Sequence, residues 1–172
     1  DIVLSRKLGA QGNSELAIGA VTEDGHIFIN EMIAAEFGGG DSYIQQEKAR
    51  QMEVITQRIA HYRNILSKVP LKGRIVIVAD DGVATGATMQ AALWAVQQEK
   101  PHKVIAALPV GPSDTLHKLA KDVDELICLR APSFFAAIGQ FYSDFTQVED
   151  DEVLAILKKE AKRQGSLSAG PP

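Results

Sequence analysis

Two adjacent acids, Asp80 and Asp81, stand directly before a short run of small residues: Gly82, Val83, Ala84, Thr85, Gly86, Ala87 and Thr88. Glycines at 82 and 86 let the backbone adopt positive φ and approach a ligand closely. Amides from Thr85 to Thr88, at the start of a following helix, would converge on an anion, and the two threonine hydroxyls add donors. The loop has no Lys, so it is not the nucleoside-triphosphate loop, and it is not the G-x-G-x-x-G of dinucleotide sites. Carboxylates beside a phosphate cradle would repel a bare anion; they suit neutral hydroxyls or a metal ion. A ribose 5-phosphate meets both conditions, with its phosphate in the T-G-A-T loop and its 2- and 3-hydroxyls on Asp80 and Asp81. Asp-Asp-Gly alone reads more simply as a turn capping a helix. The whole pattern from Arg74 to Thr88 is what points to chemistry.

The elements that must hold this loop are legible around it. Ile75 to Ala79 is an unbroken apolar run that predicts a buried strand, and Thr88 to Gln98 predicts a helix. Strand then helix recurs in Val104 to Pro109 and Ser113 to Lys121, and Glu125 to Leu129 predicts one more strand. Apolar strands separated by helices imply a parallel sheet covered on both faces, and open sheets of this kind bind ligands at their carboxyl ends. Upstream, Ile2 to Leu4 reads as a short buried strand, with Arg6 and Lys7 at its end and a loop through Gly9, Gly12 and Asn13. Leu16 to Val21 and His26 to Asn30 read as a hairpin turned by Asp24-Gly25. After a break at 38–40, Ser42 to Ser67 reads as one long helix, because Met52, Ile55, Ile59, Tyr62 and Leu66 recur at steps of three and four. Its Glu47, Arg50, Glu53 and Arg58 read as a solvated charged face. Hairpin and long helix look like an insertion into the α/β core. Asp150 to Arg163 predicts a last helix, so the domain is set at residues 1–163, with 164–172 a disordered tail or linker.

Bulk properties exclude several classes. The chain has 172 residues and a net charge of −4, so a basic nucleic-acid surface is not expected. No apolar stretch reaches the roughly 20 residues needed to span a bilayer. Cys128, a lone cysteine in an apolar run, reads as a buried thiol in a reducing, cytoplasmic compartment. His26, His61, His102 and His117 lack metal-ligand spacing.

The segment Ile75-Val76-Ile77-Val78-Ala79-Asp80-Asp81-Gly82-Val83-Ala84-Thr85-Gly86-Ala87-Thr88 resembles the phosphoribosyl-diphosphate motif of type I phosphoribosyltransferases. Ser5 to Asn13, followed by Glu15 to Ala20, is similar to a bacterial subgroup of that family, in some members of which the domain is fused to a hydrolase. The resemblance implies a Rossmann-like α/β fold, a parallel sheet with helices on both faces, and a smaller hood over the base. It implies an enzyme in which a nucleobase displaces diphosphate from phosphoribosyl diphosphate with Mg²⁺. Asp80 and Asp81 would serve the ribose and the metal, and Gly82 to Thr88 the 5-phosphate. Lys7, with Arg6 beside it, would neutralise the leaving diphosphate, and Gly9 to Ser14 would be a mobile lid.

The stretch from Pro132 to Val148 loosely resembles the purine-family segment in which an aromatic stacks on the base and an acid lies near the metal. Phe134 or Phe135 and Asp144 would take those roles. An aromatic cluster packing the sheet end, with Asp144 capping a turn, fits equally well.

One departure matters: the family's diphosphate loop follows an earlier strand that lies between the Ile2 and Ile75 strands. Without it the sheet would have a central gap, consistent with a piece of a longer chain, a rearranged sheet, or a strand from another chain. Such a gap would favour homo-oligomers. The alternative function is a non-catalytic module that binds phosphoribosyl diphosphate or a nucleotide; a nucleic-acid regulator on this fold is disfavoured by the acidic charge.

Overall fold

The computed structural model describes residues 1–37, 40–146 and 148–168. The strands are β1 (Ser5–Ala10), β2 (Asn13–Thr22), β3 (Ile27–Ile29), β4 (Ile75–Ala79), β5 (Lys103–Val110) and β6 (Glu125–Arg130). The helices are α1 (Glu31–Phe37), α2 (Gly40–Tyr62), α3 (Ala87–Gln98), α4 (Ser113–Leu119) and α5 (Asp150–Ser168). Short 3-10 turns occupy Ala120–Asp122 and Ile138–Phe141.

The fold is α/β with a Rossmann-like parallel sheet, ordered β4-β5-β6. Val76, Val78, Val104, Ala106, Leu108, Leu126 and Cys128 turn one face of it onto Met89, Leu93 and Val96 of α3 and onto Leu116 and Leu119 of α4. The other face carries Ile75, Ile77, Ile127 and Leu129, all exposed among the described residues. Cover on both faces was expected. The two crossovers, β4 to β5 and β5 to β6, travel the same way across the sheet, and right-handed crossovers of one direction lie on one face. Cys128, expected to be buried, is partly exposed, and its thiol donates to the Arg130 carbonyl at 3.3 Å.

A second, antiparallel sheet, β1-β2-β3, packs on the far side of α3. Ala20 of β2 meets Ala91 and Trp94, and Phe28 lies against the Trp94 ring with centroids 4.8 Å apart. On its outer face Leu8, Ile18 and Val21 meet Ile55 of α2. Helix α3 is therefore covered on two sides, which accounts for a sequence apolar nearly all round: Ala87, Met89, Ala91, Leu93, Trp94, Ala95 and Val96 are all buried. Trp94→Ala should cost about 3–5 kcal/mol in urea unfolding, because the buried ring packs α3 onto Ala20 and Phe28 of the antiparallel sheet.

The hairpin turned at Asp24-Gly25 is present: Gly25 sits at φ 76° and Thr22 N–H donates to the His26 carbonyl at 3.0 Å. Ile55 and Tyr62 are buried on α2 as expected, but the helix ends at Tyr62, short of the expected Ser67, and Leu66 is buried from the turn that follows it. The charged residues of α2 do not all face water: Glu47 is only 6% exposed, held by Arg50 and Gln51. Other boundaries differ from expectation as well. Helix α1 was not anticipated, and the expected break falls partly on 38–39, outside the described residues. Helix α5 runs to Ser168, past the expected end at Arg163, and 169–172 lie outside the described residues. Ile2 to Leu4 forms no strand, and the first strand begins at Ser5. Ile2 has no ladder partner; its carbonyl accepts from Arg63 Nη2 at 3.0 Å, while Asp1 accepts from the Val69 amide at 2.8 Å.

Between Ile2–Leu4 and the free edge of β4 lies a groove of about 270 Å³. Its walls include Ile2, Val3 and Leu4 on one side and Ile75, Val76 and Ile77 on the other. This is the place where the sequence implied a central gap.

Candidate functional site

The acid pair ends β4. Asp80 and Asp81 are both exposed, and the Asp81 amide donates to Asp80 Oδ1 at 3.0 Å, which folds the first carboxylate back over the turn. Partial burial of its carboxyl, then the neighbouring Asp80 charge, hold Asp81 above the ordinary aspartate range. Gly82 and Val83 are buried, and Val83 N–H donates to the Val110 carbonyl of β5 at 3.0 Å, pinning the loop to the sheet. A side chain on Gly82 would meet the Val110 carbonyl oxygen and Ile138 Cγ2 at 3.0 Å.

Ala84 and Thr85 are exposed, and Gly86 follows at φ 79° as the N-cap of α3. The backbone there is also tied from below, because Thr115 Oγ1 of α4 donates to the Ala84 carbonyl at 2.8 Å. The Ala87 amide reaches Thr85 Oγ1 at 3.5 Å. Among the described residues, the amides of Thr85, Gly86, Thr88 and Met89 have no backbone acceptor, whereas Gln90 N–H returns to the Gly86 carbonyl. The arrangement is a turn of donors at a helix N-terminus with an acid pair at its entrance, suited to an anion bearing hydroxyls.

Lys7 and Arg6 lie in the middle of β1, not at a strand end, because β1 starts later than expected. Lys7 is opposite Ala20, which packs on α3, so Lys7 shares that face of the sheet. Arg6 is on the other face: its Nε donates to Gln51 Oε1 at 2.8 Å, and Gln51 in turn donates to the buried Glu47. Burial first, then Arg58 and Arg50, lower the Arg6 pKa. The structure thus separates Arg6 from the acid loop. The expected lid, Gly9 to Ser14, is part of the β1–β2 hairpin: Ala10 pairs with Asn13, and Gly12 takes φ 79° at the tip.

Beyond β6, Phe134 is 77% exposed. Phe135 packs against Phe141 at 5.4 Å, and the Arg130 guanidinium lies over the Phe141 ring. Asp144 caps its own turn, accepting from the Thr146 amide at 3.2 Å.

The model of the phosphoribosyl transferase domain matches residues 3–146. The chain belongs to the phosphoribosyl transferase family. It is 37% identical over 159 residues to the Mycobacterium tuberculosis (strain H37Rv) protein named "Putative phosphoribosyl transferase Rv0571c", covering 92% of this chain and 36% of that protein. The counterpart in strain CDC 1551 matches equally. The chain therefore spans about a third of the length of the curated relatives it matches. The crystal structure of TT1426 from Thermus thermophilus is 43% identical with a TM-score of 0.86, covering 92% of this chain and 75% of that one.

Within this phosphoribosyl transferase domain, one contact had no signal in the sequence. Tyr142 Oη donates to the Asp81 carbonyl at 2.6 Å, across 61 residues. An aromatic in an aromatic-rich segment reads as packing, and only the fold brings it to the acid pair. As for a metal, no group of three or more His, Cys, Asp or Glu is placed to hold one among the described residues. The two exposed carboxylates of the acid pair do suit Mg²⁺, which takes one or two protein carboxylates and completes its shell from phosphates and water. No helix of the described residues is long and apolar enough to cross a membrane.

Proposed function

We propose that this domain binds phosphoribosyl diphosphate with Mg²⁺ at Asp80 to Thr88. Its full-length protein then transfers the phosphoribosyl group to a nucleobase, with a purine favoured by the aromatic segment. The observation that carries the reading is the loop: amides without backbone acceptors at the α3 N-terminus, directly after an exposed acid pair at the carboxyl end of a parallel strand.

The Thr85 to Thr88 amides and hydroxyls hold the 5-phosphate, Gly82 to Ala84 let the chain turn close to it, and Asp80 and Asp81 accept from the ribose 2- and 3-hydroxyls. In the reaction the bond from C1 to the diphosphate oxygen breaks, and that oxygen keeps the electron pair. A base nitrogen bonds to C1 and releases its proton to solvent. Such chemistry depends on positioning and on neutralising charge. Mg²⁺ held by Asp80 and Asp81 would offset charge on the diphosphate. Lys7, on the α3 face of its sheet, is the cation offered to the diphosphate, with Arg6 on the other face beside Gln51. Phe134, with its ring exposed, is the candidate to stack on the base, and Asp144, the one acid between Pro132 and Val148, is the candidate to lie near the metal.

The test is diphosphate release from phosphoribosyl diphosphate and Mg²⁺ by the full-length protein, with a panel of purine and pyrimidine bases. Release with at least one base is expected. Tight binding without turnover on every base would replace this reading with a second one, a ligand-sensing module. The unpaired edge of β4 beside the acid pair favours that alternative.

A further inference from the structure

The turn that carries the acid pair is fixed from two sides. Val110 of β5 holds it through the Val83 amide, and Tyr142 holds it through the Asp81 carbonyl. A peptide unit is planar, so holding the Asp81 carbonyl also sets the Gly82 amide on the opposite side of the same plane. The next amide, that of Val83, is held by β5, so the peptide units on both sides of Gly82 are fixed and the Asp81 Cα, which belongs to the first of them, is placed with it.

Tyr142 is itself held in place. Its ring packs against Phe145 at 5.2 Å, and Phe145 lies so close to Gly139 that a side chain there would meet its ring at 3.0 Å. Ile138, one residue earlier, sits over Gly82 with a similar lack of room. The segment after β6 thus touches the acid turn through one apolar contact without space for a Cβ and one short hydrogen bond.

We propose that Tyr142 is a positioning residue for the acid pair: it acts through the Asp81 peptide and orients the carboxylate toward the ribose. The proposal rests on the phosphoribosyl-diphosphate reading above for the ligand, but not for the contact.

Tyr142→Phe in the full-length protein keeps the ring and removes only the hydroxyl. Hydrogen exchange at the Val83 amide is expected to quicken about tenfold, and affinity for phosphoribosyl diphosphate with Mg²⁺ to fall about tenfold, the worth of one such hydrogen bond. The melting temperature should stay within a few degrees. Phe145→Leu, which retains the hydroxyl but loosens its support, should give a smaller change in the same direction.

Unchanged exchange at Val83 in Tyr142→Phe would overturn the proposal. So would faster exchange with unchanged affinity, or a lowered melting temperature with unchanged affinity, since either describes packing alone. A wild-type protein that fails to bind phosphoribosyl diphosphate while Tyr142→Phe still quickens exchange would overturn the ligand reading and support the contact.

Discussion

Asp81→Asn is expected to lower turnover by about 10²–10³ while raising, not lowering, the stability of the ligand-free protein. The two effects share a cause. Partial burial and the Asp80 charge raise the Asp81 pKa in the fold. A carboxyl whose folded pKa is raised stabilises the fold most below its unfolded pKa, and this contribution is lost as pH rises through the folded value. At neutral pH the ionised pair therefore works against the fold, and the amide relieves it. On the proposed reading the same substitution would also remove a charged acceptor for a ribose hydroxyl and one of the two carboxylates for Mg²⁺. Diphosphate release by the full-length protein checks the turnover, and thermal melts in the presence and absence of phosphoribosyl diphosphate with Mg²⁺ check stability and binding. The wild type should gain on ligand addition and Asp81→Asn should not, although its unliganded melt starts higher and its advantage shrinks at acid pH. A variant that is destabilised without ligand and still gains on addition would contradict this account.

Gly86→Val should have the second large effect. Gly86 takes φ 79°, and a Cβ there would come 2.7 Å from Thr115 Cγ2. Valine must strain the backbone, at roughly 1–3 kcal/mol, and push α4 away. That movement breaks the Thr115 hydrogen bond to the Ala84 carbonyl. Loss of binding of phosphoribosyl diphosphate by about 100-fold or more is expected from isothermal titration, because the donors of the turn no longer converge. Gly12→Ala separates strain from crowding: Gly12 has the same φ but nothing within 4 Å of its Cβ. It should cost a little stability and leave binding alone.

Local chemistry explains what could be foreseen from the residues. The Ile75–Ala79 strand was legible to the residue because it is apolar, short and bounded by turn formers. The acid pair and the T-G-A-T turn were legible because glycine and threonine at those spacings suit few purposes. Less was visible wherever the answer depended on pairing. Ile2 to Leu4 has strand composition but no ladder partner, while Ser5 to Ala10 is a strand because β2 lies beside it. The later start of the strand puts Arg6 within it, on a face where Gln51 holds it. Glu47 looked like one charge among several on a helix, yet it is buried, held by Arg50 and Gln51 of its own helix, with Gln51 in turn reached by Arg6 of β1. Tyr142 was hidden for a different reason: sequence distance carries no hint of a bond from a hydroxyl to a backbone carbonyl 61 residues away.

The groove beside β4 has a directional consequence. A strand laid in it parallel to β4 would run from the Arg74 end toward Ala79, since β4 sets the polarity of its free edge. Its last residue would finish level with Asp80, and the turn after it would open on the same side of the sheet as the acid pair. Unused backbone donors and acceptors along β4 would thus act as a ruler as well as an adhesive. Ladder spacing, rather than any side chain, would decide how near to the ribose that next turn comes to rest.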